Sequence, residues 1–271
     1  MKVSGEILIK IGKIERYIYR EIEKYGAIHM TLIDPDKTNS KAAIKIASAA
    51  IRAGTSAIMI GGSLGVGSSE IDKMIKAIKK KVHCPIILFP GSIAGLSKHA
   101  DAIWFLSVLN SLNPYFITGA QMQAALLVKR YKIESIPLAY IIVGTGGAVG
   151  FVSQAQVLPY TRSDLIISYA LTGQMLGFRF VYLEAGSGGN AISPDIVKSV
   201  KKIIDIPLIV GGGIRTGDLA KDITKAGADI IVTGTVIEES SDIEKKIREI
   251  VVGVRQGALL RKTLINNNTT R

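Results

Sequence analysis

Eight short apolar runs, each bounded by glycine or proline or by a polar turn, constrain this chain more than any other feature. They read AIHMTLID (27–34), SAIMIGG (56–62), PIILFPG (85–91), DAIWFLS (101–107), LAYIIVG (138–144), RFVYLEA (179–185), PLIVGGG (207–213) and DIIVTGT (229–235). Runs of this kind, apolar at consecutive positions rather than alternating, are what strands of a parallel sheet covered on both faces look like. Between most of them lie segments with helical spacing, such as SKAAIKIASAAIRAG (40–54), DLIISYALTGQMLG (164–177), SPDIVKSVKKII (193–204) and GDLAKDITKAGA (217–228). Strands and helices alternating in this way through 271 residues predict an α/β fold, a (β/α)8 TIM barrel. The segment SIAGLSKHA (92–100) between the third and fourth strands is short, so the helix there is expected to be incomplete or missing. No linker or repeat divides residues 1–271, which read as one domain with a flexible tail from about 264, LINNNTTR.

Composition narrows the class of partner. The formal net charge is +12, which suits either a solubilising surface or an anionic partner. The lysines fall in helical patterns such as EIDKMIKAIKKKVH (70–83), and aromatics are 6% of the chain, so neither a nucleic-acid stripe nor a base-stacking platform is expected. One cysteine, Cys84, forms no disulfide within the chain and fits a reducing cytoplasm. The amphipathic N-terminus has no signal-peptide core. Two stretches, 102–128 and 135–161, carry no charged residue, but their Asn, Gln, Pro and Gly content argues against membrane spans. They read instead as strand, loop and helix lining a cleft for something apolar.

The barrel reading says where chemistry sits, because such barrels work at the C-terminal ends of their strands and hold phosphate near strands seven and eight. VGGGIRTG (210–217) follows strand seven, and strand eight ends in TGTVIEE (233–239). Glycines let backbone N–H groups approach an anion closely. A dinucleotide-binding reading fails, since the spacing is not GxGxxG and the loop comes late in the chain. YLEAGSGG (182–189) adds a third glycine loop and puts Glu184 at a strand end, either as a general base on a hydroxyl or as a salt-bridged carboxylate at the rim. LIDPDK (32–37) places Asp34 at the mouth, with Asp36 and Lys37 beyond; Asp34 is either a ligand of Mg²⁺ or a cap of the turn before Pro35. The Ser63 hydroxyl, after strand two, could reach a metal or a phosphate. His29, His83 and His99 show no zinc spacing, and His29, Cys84 and Trp104 read as structural.

The segments HMTLIDPDK, IMIGGS, LNSLNPYFI, YLEAGSGG, VGGGIRTG and TGTVIEE occur in this order over about residues 25–255, and together they resemble the geranylgeranylglyceryl phosphate synthase family of archaea. The resemblance implies a phosphate-binding barrel prenyltransferase. It would join sn-glycerol 1-phosphate to geranylgeranyl diphosphate, release diphosphate and form the first ether bond of archaeal membrane lipids. It implies Mg²⁺ on Asp34 and Ser63. It implies glycerol phosphate held by Tyr182, Leu183, Glu184, Ala185, Gly186, Ser187 and Gly188, by Gly212 and Gly213, and by Gly234 and Thr235, with Glu184 activating the glycerol hydroxyl. Where many members carry Pro-Arg-x-Lys-Pro after the fifth strand, this chain has PYTRSD (159–164), keeping Arg162 alone. The long loop at 144–164 is similar to the archaeal subgroup. A cytoplasmic homo-oligomer, dimer or hexamer, is implied, with possible peripheral membrane contact and no nucleic acid. The alternatives are a heptaprenyl relative using a 35-carbon donor, another phosphate-binding barrel isomerase or lyase, and a non-catalytic binder of lipid anions.

Overall fold

The computed structural model describes residues 11–62 and 67–269. Its centre is a closed barrel in which eight parallel strands pair in chain order, β1 closing against β8. The strands are β1 (Ile28–Ile33), β2 (Ala57–Ile60), β3 (Ile86–Leu88), β4 (Ala102–Val108), β5 (Glu134–Ile142), β6 (Phe180–Glu184), β7 (Leu208–Gly211) and β8 (Ile230–Thr233). Helices α2 (Ser40–Ala53), α3 (Ser68–Lys79), α4 (Ala120–Tyr131), α5 (Gly147–Val152), α6 (Ser163–Met175), α7 (Pro194–Lys201), α8 (Gly217–Ala226), α9 (Thr235–Glu238) and α10 (Ile243–Thr269) follow the strands, and α1 (Lys13–Tyr25) precedes them.

The strands are apolar throughout because both their faces are covered. Alternate residues, among them Met30, Met59, Trp104, Leu138, Tyr182 and Ile209, fill the barrel interior. Their neighbours, such as Ile60, Leu88, Ile141, Leu183 and Val210, pack under the helices. The interior is therefore a packed core and not a pore. Its lower end is closed by α1. Ile18 of α1 joins the interior cluster, and the Tyr19 ring lies 5.3 Å from that of Phe180. Glu134, the first residue of β5, accepts hydrogen bonds from the Ile14 and Glu15 N–H groups at 2.8 Å each, satisfying donors that a helix start leaves without partners. Arg179, just before β6, forms an ion pair with the buried Glu15. This use of Glu134 explains why β5 starts earlier than its apolar run: a charged residue and Pro137 hide the first turn of the strand from a hydropathy reading.

Between β3 and β4 there is only a single 3₁₀ turn, Ile93–Gly95. A full helix is absent there, as the short segment predicts. The turn is tied to α3 by Ser97, whose hydroxyl donates to Asp72. His29 stands on the outer face of β1, with Nδ1 2.6 Å from Thr55 Oγ1 and Nε2 2.8 Å from Thr233 Oγ1. Burial pushes its pKa down to about 3, so it is neutral and structural. Trp104 is fully buried against Phe180, within the core. Helix α10 runs on into the Asn- and Thr-rich tail, as far as Thr269.

Candidate active site

Two cavities open at the C-terminal end of the barrel and meet over the same four residues, Leu32, Asp34, Glu184 and Ser187. The first, about 620 Å³, is built from the ends of β6, β7 and β8. It brings together Asp34, Tyr182, Glu184, Ser187, Gly188, Gly212, Gly213, Gly234 and Thr235 of the residues expected from sequence. Leu183 and Ala185 do not reach it: both are fully buried in the layer between sheet and helices, so only their backbone is available to the site. Gly186 lies behind the wall. Ser63 lies outside the described residues.

The glycine loops have the backbone freedom that such a wall needs. Gly212 has φ +84°, and a Cβ there would stand 2.6 Å from Glu184 Oε1 and 2.8 Å from the Gly186 nitrogen. Gly186 itself has φ +87°. Both positions therefore demand glycine, for conformation and for the close approach of two loops. The result is a concave wall of main chain on the side of β6 to β8.

Glu184 sits at the junction, 8% exposed. Its Oε1 accepts the Gly186 N–H at 2.7 Å and its Oε2 accepts the Tyr140 hydroxyl at 3.2 Å. Burial raises its pKa, and the hydrogen bonds from Gly186, Tyr182 and Tyr140 pull the other way. The site therefore supplies a carboxylate of raised basicity held in one orientation. Burial also pushes the Tyr140 and Tyr182 phenols well above their ordinary range, so both are protonated donors. Their rings are fixed by mutual contact at 5.0 Å and by Phe89, edge-on to Tyr140 and stacked on Tyr182. Among the described residues no Lys, Arg or His forms the rim salt bridge that was the alternative for Glu184. Tyr140 was missed from sequence, where it looks like one more apolar strand residue. Register was the available signal: it pairs with Tyr182, two residues below Glu184 on the same face.

Asp34 lies half-buried at the end of β1, its pKa raised by burial. It accepts the Asp36 N–H at 3.0 Å, so the turn-capping role is present as well. Asp34 Oδ1 and Asp36 Oδ2 converge over Gly62: a Cβ there would lie 2.3 and 2.8 Å from them. Lys37 Nζ stands 3.9 Å from Asp34 Oδ2 and 3.9 Å from Glu238 Oε2. Glu238, on α9, is a further site carboxylate that sequence reading did not single out.

The second cavity, about 780 Å³, is of a different kind. Leu106, Val108, Phe116, Val149 and Val152 form its wall, and all five come from the two uncharged stretches of the sequence. It continues into a third, about 480 Å³, lying between the 3₁₀ turn and α4 where the missing helix would be, with Ile93, Leu96 and Ala124 along its sides. The β4 and β5 loops that carry this wall are fastened together. Asn110 bridges the Ile142 backbone through both its amide atoms and also donates to Gln156 O, while the Ser111 hydroxyl donates to Ser153 O at 2.6 Å. Arg162, the residual cation of the long loop, is held by Asp164 through two bonds of 2.9 Å.

A model of the PcrB family matches residues 19–254. The chain belongs to the PcrB family. Among its relatives, geranylgeranylglyceryl phosphate synthase of Thermofilum pendens is 57% identical over 250 residues, 92% of this chain and 98% of that one. The enzyme of the same name from Pyrococcus abyssi is 52% identical, covering 92% of this chain and all of its own length. Among solved structures, (S)-3-O-geranylgeranylglyceryl phosphate synthase from Thermoplasma acidophilum, in complex with its substrate sn-glycerol-1-phosphate, superposes with a TM-score of 0.85 at 42% identity, covering 88% of this chain and 98% of that one. This PcrB-family barrel therefore shares fold, length and much of its sequence with those synthases.

Proposed function

We propose that the chain transfers the geranylgeranyl group from geranylgeranyl diphosphate to the 3-hydroxyl of sn-glycerol 1-phosphate, yielding 3-O-geranylgeranylglyceryl phosphate and diphosphate. One observation carries the reading: a buried, oriented carboxylate, Glu184, stands where a main-chain anion cradle meets an apolar groove. The relatives' names and the substrate held by the Thermoplasma enzyme support the same assignment.

In this reading the acceptor phosphate takes the N–H groups around Gly188, Gly212, Gly213, Gly234 and Thr235, which leaves the glycerol hydroxyls over Glu184. The prenyl chain lies in the groove beneath Phe116, where each buried CH₂ contributes about 0.8 kcal/mol. The bond between C1 of the donor and its diphosphate oxygen breaks, its electron pair leaving with diphosphate. The glycerol oxygen bonds to C1 and its proton passes to Glu184. Tyr140 keeps the carboxylate turned toward that proton. Asp34 and Asp36, with their oxygens converging over Gly62, fit a magnesium ion, which takes one or two carboxylates and completes its shell with phosphate oxygens and water. When bound it supplies positive charge to the departing diphosphate. Among the described residues no three His, Cys, Asp or Glu side chains form a metal cluster, and a cation shared with substrate oxygens needs none.

The proposal includes a self-associated enzyme, supported by exposed apolar side chains at Met122 and Leu126 on α4 and at Met175 and Leu176 at the end of α6. It also includes a cytoplasmic setting, where charged phosphorylated substrates are retained; no helix among the described residues is long and apolar enough to cross a membrane. The test is a prenyl-transfer assay with labelled glycerol 1-phosphate and 15-, 20- and 35-carbon prenyl diphosphates, in Mg²⁺ or EDTA. Magnesium-dependent ether product, greatest with the 20-carbon donor, is expected. A 35-carbon preference would move the chain to the heptaprenyl reaction, and no product with any donor from folded protein would overturn prenyl transfer.

A further inference from the structure

We propose that Lys37 binds the diphosphate of the prenyl donor and that Glu238 positions it. The inference rests on the prenyl-transfer reading and adds to it a pair of residues and a division of labour between two anion sites.

The argument starts from charge. The junction already holds Asp34, Asp36 and Glu238 on the side of β1 and α9. A diphosphate placed there adds more negative charge than one divalent cation offsets, so a further cation must face it. Among the described residues lining the cleft and the groove, the positively charged ones are Lys37 and Arg215. Arg215 is turned away from the donor, its guanidinium donating to Gly188 O at 3.3 Å on the glycine side. Lys37 lines the first cavity beside Asp34, one of the four residues through which that cavity meets the apolar groove.

The state of Lys37 fits a group that waits for a ligand. Its ammonium lies 3.9 Å from each of two carboxylate oxygens, beyond hydrogen-bond length, and its side chain is 55% exposed. A cation with a settled structural role has shorter bonds, as Lys201 does to Asp229 at 2.8 Å. Glu238 is the counterpart. Its Oε1 is buried without a hydrogen-bond partner, while its Oε2 faces Lys37. A carboxylate so placed next to an acceptor phosphate site would repel the substrate unless a cation stood beside it. Lys37 answers that need before the donor arrives. On binding, the ammonium exchanges two loose contacts for phosphate oxygens, and Glu238 limits how far it swings.

The test separates the two substrates. In steady-state assays of the full chain with Mg²⁺, Lys37→Gln should raise KM for the prenyl diphosphate, and the inhibition constant of inorganic pyrophosphate against it, by roughly tenfold or more, the effect of losing a hydrogen bond to a charged group. KM for glycerol 1-phosphate should change less than about twofold, Lys37→Arg should restore most of the donor affinity, and Lys45→Gln, an exposed lysine on α2, should change neither constant. Glu238→Gln should raise the donor KM severalfold alone and add nothing in the Lys37→Gln background, as expected of a residue acting through another. Calorimetric titration of inorganic pyrophosphate into wild type and Lys37→Gln reads the same loss without turnover. Unchanged pyrophosphate binding, or a rise confined to glycerol 1-phosphate or equal for both substrates, would overturn the assignment. Wild-type enzyme without turnover would refute the prenyl-transfer reading instead, and the pyrophosphate titration would still decide for or against Lys37.

Discussion

The two sides of the barrel mouth are made of different materials. On the β6 to β8 side the wall is main chain: glycines at positive φ bring N–H groups and two loops within contact of Glu184. On the β4 and β5 side the wall is side chain, apolar and uncharged, and its loops are held by Asn110 and Ser111. On the proposed reading the difference follows from what each side would bind. An anion is held by dipoles that are fixed in place before it arrives. A hydrocarbon is held by area removed from water, which is non-directional and depends on shape alone. One side should tolerate no added atom, and the other should accept changes in volume with a change in preference.

The comparison can be broken most easily at the junction. Glu184→Gln keeps shape and hydrogen-bonding capacity but removes the base. It should lower kcat by roughly a hundredfold or more with both KM values little changed, measured at saturating substrates. Full activity in this variant would remove the base from the mechanism. In the wild type the same group should set an acid limb. The base must be ionised, and burial raises its pKa, so kcat should fall as pH drops through a value above the ordinary glutamate range, about tenfold per pH unit at the limit. A flat profile down to pH 4 would contradict this.

On the main-chain wall, Gly212→Ala forces a side chain into the left-handed region at a cost of about 1–2 kcal/mol, and its Cβ meets Glu184. KM for glycerol 1-phosphate should rise about tenfold or more and the melting temperature should fall, read by kinetics and thermal unfolding; an unaltered KM would show that this wall does not hold the acceptor. On the apolar wall, Ala124→Trp, which fills the cavity beside the 3₁₀ turn, should leave glycerol 1-phosphate untouched and shift preference toward the 15-carbon donor by severalfold. The same ratio of 15- to 20-carbon donor use before and after the change would place the chain elsewhere.

How far the sequence could be read follows the same division. Every strand was legible, because a strand covered on both faces has no choice but to be apolar. The glycine loops were legible because positive φ and close approach restrict the residue type. The gap after β3 was legible from length alone. Tyr140 and the approach of Glu238 to Lys37 were not. A tyrosine in an apolar strand and a glutamate at the end of a short helix have many ordinary explanations, and only the barrel register and the pairing of β8 with β1 bring them beside Glu184 and Asp34. Glu134 was hidden for the opposite reason: a charge at a strand start looks like a break until the helix it caps is seen.

The single 3₁₀ turn after β3 has a further consequence. The groove it leaves runs across the outside of the sheet, between Ile93 and α4, while the barrel interior stays filled by residues such as Trp104 and Phe180. On the proposed reading, the space that measures the prenyl chain lies outside the barrel core and touches it along β4, at Trp104, Leu106 and Val108. Changes of side chain on α4 and the turn would then alter the accepted chain length with little effect on the packing that keeps the barrel closed.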